Sequence, residues 1–245
     1  MAAPLRRALS GHAGLSPHWD QLWQGGLSKG SRFDVGGVSR PLAAELSKRS
    51  HAPRPGMTAL VPGCGRAYDA LALAEHGFAT VVAVDCSPAA CDAARAELDA
   101  SDSPAASRVE IRCADFFTLS SSRNNGGDDA SFDFIWDCTF LCALEPSVRQ
   151  QWAEATRALL APDGTLLSCV FPIGEREGGP PYALSEPLVR GLLEPLGLEA
   201  VHVQGQHQLA LEEQHRRPGD PLESVKERGT ALMTWQVKTG GRQCM

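Results

Sequence analysis

The stretch Met57-Thr58-Ala59-Leu60-Val61-Pro62-Gly63-Cys64-Gly65-Arg66-Ala67-Tyr68-Asp69 decides the fold. Its apolar run Ala59-Leu60-Val61 reads as a buried strand. The run breaks at Pro62-Gly63-Cys64-Gly65, and a helix pattern follows from Tyr68 to His76. A strand that ends in a glycine turn and opens a helix is how an α/β sheet offers backbone N–H groups to a ligand. Glycine is needed at Gly63 and Gly65 because a Cβ would block either the backbone torsion or the ligand's approach. Further on, a second apolar run, Thr80 to Val84, ends in Asp85. A carboxylate at the tip of the second strand accepts hydrogen bonds from both hydroxyls of a ribose. Turn and acid together imply an adenosine-containing cofactor.

Outward from this stretch, strands alternate with helices. Ser87-Pro88 is an N-cap followed by proline at the first helical position, and the Ala-rich run to Leu98 predicts a helix. Val109 to Cys113 reads as a third strand and Phe132 to Asp137 as a fourth. Between them, Ser120 to Ser131 lacks apolar periodicity and reads as a mobile surface loop. A helix is predicted from Pro146 to Leu160, stopped by Pro162-Asp163-Gly164, and then a fifth strand from Thr165 to Phe171. Ser185 caps a helix to Leu196, Leu198 to Val203 is a sixth strand, and Ala231 to Val237 a last one, reached through a polar, proline-containing segment. The pattern predicts an α/β fold with a doubly wound, mostly parallel seven-stranded sheet. The final two strands lack a good crossover helix, so the last is expected to run antiparallel. Residues 18–240 read as one domain, with 18–56 as an N-terminal arm that includes a short helix from Pro41 to Arg49, and 1–17 as a flexible leader.

With 245 residues, 43% hydrophobic and 21% charged, the chain has the composition of an ordinary globular protein. A net charge of -6 argues against nucleic acid as the main partner. No apolar run approaches the roughly 20 residues of a membrane helix. The leader carries Arg6 and Arg7 without a long apolar core, unlike a secretory signal; a short organelle-targeting extension is the alternative. Eight cysteines contain no C-x-x-C pair, so neither a metal site nor a redox dithiol is expected, and a reducing, cytoplasmic compartment is. A monomer acting on a small molecule or anion is the expected form.

The glycine turn is not a dinucleotide fingerprint, because the third glycine of G-x-G-x-x-G is Tyr68 here. That favours a cofactor without a pyrophosphate, S-adenosylmethionine (SAM), with its ribose on Asp85 and its methionine moiety at Gly63 to Gly65. Trp19 and Trp23 are four apart and share one helix face, either as a lid against a sulfonium or as an anchor for the arm. Asp115, at the end of strand three, is positioned to read the adenine amino group with Phe116 stacking, or to cap a helix. Asp137, ending strand four, is positioned to hold the aminoacyl end or line the substrate pocket, or only to cap the next turn. No H-E-x-x-H, G-x-S-x-G or P-loop pattern occurs, and the seven histidines are dispersed, which reads as surface placement.

Several separated motifs carry a resemblance: Trp19-x-x-x-Trp23-x-x-Gly26, Leu60 to Arg66, Val84-Asp85, Ala114 to Phe117, Phe132 to Asp137, Phe140 to Pro146, Phe171-Pro172-Ile173 and Gly178 to Tyr182. With these the chain closely resembles the thiopurine methyltransferase-like family, especially its halide and thiol methyltransferase branch. The resemblance implies a class I SAM-dependent methyltransferase fold with an N-terminal aromatic lid. It implies methylation of halides, bisulfide, thiocyanate or small thiols, with thiopurine-type or other small-molecule methylation, or a non-catalytic SAM-binding module, as alternatives. In such relatives the first tryptophans and the segment up to the Asp34 position enclose SAM; Gly63, Asp85, Asp115 and Phe116 would contact it, and Cys138 would face the methyl group. Where relatives usually carry Thr-Pro-Trp-Asp, this chain has Ser31-Arg32-Phe33-Asp34, and Phe33 can cover the site without an indole N–H. Cys138 stands where plant-like members have Tyr, and is expected to line the pocket rather than act as a covalent nucleophile. Tyr182 is expected to close the substrate side through the Gly–Pro loop, or to pack within a plain turn.

Overall fold

The computed structural model describes residues 15–48, 51–119, 131–217 and 219–238. Its centre is a seven-stranded sheet: β1 (Thr58–Pro62), β2 (Thr80–Asp85), β3 (Val109–Cys113), β4 (Phe132–Cys138), β5 (Leu160–Val170), β6 (Leu198–Gln204) and β7 (Ala231–Val237), in spatial order β3-β2-β1-β4-β5-β7-β6. The first five strands pair in parallel, and β7 runs antiparallel between β5 and β6. The mostly parallel sheet with an antiparallel last strand is the one expected.

Period-2 alternation divides the strands between two cores. Leu60, Val82, Ile135 and Leu166 belong to one, with Trp152 and Trp235; Ala59, Val61, Phe134, Trp136 and Leu167 belong to the other. Coverage on both faces is why the central strands read as continuous apolar runs. From β1 the chain winds outward through β2 to β3, then returns on the other side of β1 as β4. This leaves a crevice at the carboxyl ends of β1 and β4, the usual ligand position in such sheets.

The helices α3 (Tyr68–His76) and α4 (Pro88–Asp99) begin where expected. Ser87 Oγ accepts from Ala90 N at 3.2 Å, and Asp20 Oδ1 accepts from Ser87 Oγ at 2.7 Å, so a carboxylate of the arm sits at the start of α4. Helix α1 (Leu15–Gln24) starts three residues before the expected domain boundary, while residues 1–14 of the expected leader lie outside the described residues. The short helix α2 (Arg40–Ser47) has Pro41 in its first turn.

Three local expectations change. The helix expected from Pro146 divides into a 3-10 turn, Pro146–Val148, and α5 (Arg149–Leu159). Pro162-Asp163-Gly164 is not a helix stop, because β5 begins at Leu160 and contains it. The β4–β5 register shifts between Phe132 and Phe134, and a Cβ on Gly164 would come within 2.9 Å of the Phe132 carbonyl oxygen. Gly164 thus permits a close backbone approach at a bulge. After α6 (Glu186–Leu193), which Ser185 caps, the polar connection to β7 contains a further helix, α7 (Leu222–Arg228). The loop expected at Ser120 to Ser131 lies outside the described residues, save Ser131.

Candidate active site

The β1–α3 turn is built by left-handed backbone: Gly63 has φ 60° and Gly65 φ 51°. Cys64 N donates to Val84 O at 3.0 Å and Gly65 N to Asp85 Oδ2 at 3.1 Å, which ties the turn to the tip of β2. Asp85 Oδ1 accepts from Ser87 N at 3.0 Å. Burial pushes the Asp85 carboxyl above its usual range, while these amides oppose the shift. Phe140 closes over Gly63, where a Cβ would lie 2.6 Å from its ring.

Across the crevice stands the arm. Trp19 and Trp23 both meet Phe33 edge-to-face, at centroid distances of 5.3 and 5.8 Å. Trp23 packs with Leu27 on Ala90 of α4, which anchors the arm, and both indoles line the cavity. Asp34 fixes the arm to the turn. Its Oδ2 receives Arg66 Nε at 2.9 Å and its Oδ1 the amides of Gly30 and Gly36 at 3.2 and 2.6 Å. Arg66 also donates to Leu27 O at 2.6 Å and lies 5.6 Å from the Trp23 ring centroid. The Tyr68 hydroxyl is buried in this region without a hydrogen-bond partner among the described residues, and burial with the nearby Asp34 charge raises its pKa.

On the β3 side, Asp115 Oδ1 accepts from Phe117 N at 3.0 Å, so it caps a turn and also lines the cavity. Phe116 packs edge-to-face on Phe140 at 5.1 Å. At the end of β4 the wall is Cys138, Thr139, Phe140 and His215. Asp69 lies there too, with Ser39 N, Ser39 Oγ and Trp136 Nε1 each donating to it at 2.7 Å. Cys138 Sγ is 3.6 Å from His215 Nδ1. A hydrogen bond with Cys169 and burial push the Cys138 thiol well up, so it stays protonated and suits a wall rather than a nucleophile. Burial and the nearby Arg228 charge lower His215 to about 4, so its ring is neutral near pH 7.

One cavity thus gathers Trp19, Trp23, Phe33, Asp34, Gly63, Gly65, Asp85, Asp115, Phe116 and Cys138. Two expected residues are not in its wall. Asp137 alternates to the opposite face of β4 from Cys138, where its oxygens accept from Leu141 N at 3.1 Å and Trp152 Nε1 at 2.8 Å. It caps the following turn and joins the core, which is the second of the two placements expected for it. Tyr182 packs so closely on Gly179 that a Cβ there would overlap its ring, and its N donates to Cys142 O at 2.7 Å. It belongs to the turn rather than to the cavity. Conversely, His215 is buried in the wall although the dispersed histidines read as surface residues. Nothing in Glu212-Glu213-Gln214-His215-Arg216-Arg217 marks it, since the run is charged and aperiodic. Asp69 was hidden by its position in the first turn of a helix, where an acid needs no functional reason.

The donor set fits SAM. The wall presents the carboxylates of Asp34, Asp69, Asp85 and Asp115 with aromatic rings, and its guanidinium, Arg66, is held by Asp34 and Leu27. That suits a ribose and a cationic sulfonium, and supplies no cradle for a pyrophosphate.

The model of the family described as thiopurine S-methyltransferase matches residues 16–235. "Probable thiol methyltransferase 2" of Arabidopsis thaliana is 37% identical over 185 residues, 76% of this chain and 75% of its own. "Thiocyanate methyltransferase 1" of Brassica oleracea is 35% identical over 187 residues, with 76% and 75% covered. "Thiopurine S-methyltransferase" of Azotobacter vinelandii (strain DJ / ATCC BAA-1303) is 37% identical over 190 residues, with 71% and 81% covered. Among solved structures, the Burkholderia thailandensis 1,6-didemethyltoxoflavin-N1-methyltransferase bound to S-adenosylhomocysteine superposes with TM-score 0.63 at 21% identity, over 98% of this chain and 94% of its own. That likeness is one of fold.

Proposed function

Because the chain belongs to the thiopurine S-methyltransferase family and is a SAM-dependent methyltransferase, we propose that its acceptor is a small soft nucleophile: thiocyanate, bisulfide, a halide or a small thiol. The observation that carries this reading is the shared cavity, whose wall holds both the Gly63–Gly65 turn with Asp85 and the side chains of Cys138, Thr139 and His215. The names of the plant relatives support the thiol and thiocyanate acceptors; halides extend the same chemistry.

Bound SAM supplies a methyl group on a sulfonium, which needs no further activation. The chain's own work is then to bind, align and dry the reactants. We assign Asp85 to the ribose hydroxyls through its remaining lone pairs, and the Gly63–Gly65 turn to the aminoacyl end. Asp115 and Phe116 take the adenine side. Trp19, Trp23 and Phe33, in the lid segment 18–56, cover the sulfonium side and exclude water. Cys138 and Phe33 bound the acceptor's space. No residue has to remove a proton from a halide or thiocyanate, and bisulfide is partly ionised near neutral pH.

An aryl thiol of the thiopurine kind is the second reading, supported by the bacterial relative's name. We take the protein to be a monomer in a reducing cytoplasmic compartment, in keeping with seven free cysteines among the described residues. No described helix is long and apolar enough to cross a membrane. The test is a sealed-vial assay of purified protein with SAM and iodide, bisulfide or thiocyanate. Methylated product in the headspace is expected, and silence with all three sinks the acceptor class while leaving the fold intact.

A further inference from the structure

Among the wall residues, His215 is 6% exposed, and its Nε2 has no hydrogen-bond partner among the described residues. The rest of the ring is well fixed. Nδ1 faces the Cys138 thiol at 3.6 Å, Phe171 packs on the ring at 4.5 Å, and the backbone N donates to Thr230 Oγ1 at 3.1 Å. A positioned imidazole in a cavity wall, with one nitrogen that no described residue hydrogen-bonds, is a group able to recognise a ligand there.

We propose that His215 is the anion-binding residue of this cavity, donating Nε2–H to the incoming nucleophile in its ionised form. Cys138 sets the direction of that donor. Its protonated thiol finds a far better acceptor in Nδ1 than in the Cys169 sulfur, and a ring that accepts at Nδ1 carries its proton on Nε2. Burial keeps the ring neutral, and the nearby guanidiniums of Arg217 and Arg228 both pair with Asp220, at 3.0 and 2.9 Å. The Asp69 carboxylate, which also lines the cavity, accepts three hydrogen bonds that hold its oxygens and disperse its charge. Selection of an anion by a neutral donor follows, and thiocyanate and bisulfide are anions of the proposed acceptor class.

The inference rests on the acceptor class proposed above, and the experiment separates the two. Thiocyanate is titrated into the complex of the full chain with S-adenosylhomocysteine, for the native protein, H215L and H215Q. H215L should bind thiocyanate roughly 10- to 100-fold more weakly, because a donor to a charged group is lost. H215Q, which keeps an N–H near the Nε2 position, should recover most of the affinity, and S-adenosylhomocysteine binding should be the same in all three. Native affinity should also be equal at pH 6 and pH 8. If H215L does not fold, 15N-histidine labelling of the native protein decides instead: the Nε2–H tautomer and a shift of that signal on adding thiocyanate are expected. Absence of thiocyanate binding to the native complex, unchanged affinity in H215L, or an Nδ1–H tautomer overturns the proposal. Methylation of thiocyanate with an unchanged KM in H215L would remove His215 and keep the activity. His215-dependent binding without turnover would do the reverse.

Discussion

The Asp137 carboxylate accepts a hydrogen bond from Trp152 Nε1 at 2.8 Å, which pins the end of β4 to helix α5 beneath the cavity floor. Its other oxygen holds Leu141 N, the turn that follows Phe140. D137A leaves both donors buried and unpaired, and should cost about 2–4 kcal/mol of stability by urea unfolding. Cofactor affinity in the folded fraction should change little, since Asp137 is outside the cavity wall. Burial raises this carboxyl from 3.8 to about 6. The contribution tied to its protonation is therefore complete below about pH 3.8 and is lost as pH rises through about 6. D137N should remove that component.

His215 has the opposite sign. Its folded-state value, about 4, lies below the ordinary 6.5, so the unfolded chain binds the proton more readily. Its contribution to stability is present above pH 6.5 and is lost as pH falls through about 4. H215L should flatten the acid limb of the stability profile by up to roughly 1.4 kcal/mol per pH unit. Urea midpoints across this range for both proteins test it, and parallel curves would refute it.

Asp85 joins turn, helix start and expected ribose. D85A should weaken SAM binding roughly 10- to 100-fold in calorimetry, since hydrogen bonds to a charged acceptor disappear together. G63A should also weaken it, by another route: at φ 60° a Cβ lies 2.6 Å from Phe140, so the ring must move.

The Arg66–Asp34 pair, with side chains 16% and 3% exposed, joins the arm to the glycine turn. D34N keeps the shape but loses the charge, and should raise the KM for SAM severalfold with a smaller change in kcat. Proteolysis at residues 25–39 should quicken in the same variant, because removing one partner of a buried pair leaves the other charge uncompensated. Equal cleavage rates would show that the arm is held by its aromatic packing alone.

Much of this was legible in the sequence. Strand runs, the Ser87 cap and the Tyr68–His76 helix are local patterns, and local physics determines them. The corrections come from what local patterns omit. Asp137 and Cys138 are neighbours on a strand, and alternation sends their side chains to opposite faces of the sheet, a constraint that strand periodicity already contains. Gly164 reads as a helix stop until Phe132 is known to lie beside it. His215 enters the site through a connection whose course depends on β7 inserting between β5 and β6, a long-range event without a local signal.

The most direct measurement compares kcat/KM for thiocyanate, bisulfide and an aryl thiol with the purified protein and SAM. A small soft anion preferred over the aryl thiol by tenfold or more is the predicted result. An aryl thiol preferred by a similar margin, or no turnover of either small anion, would contradict it.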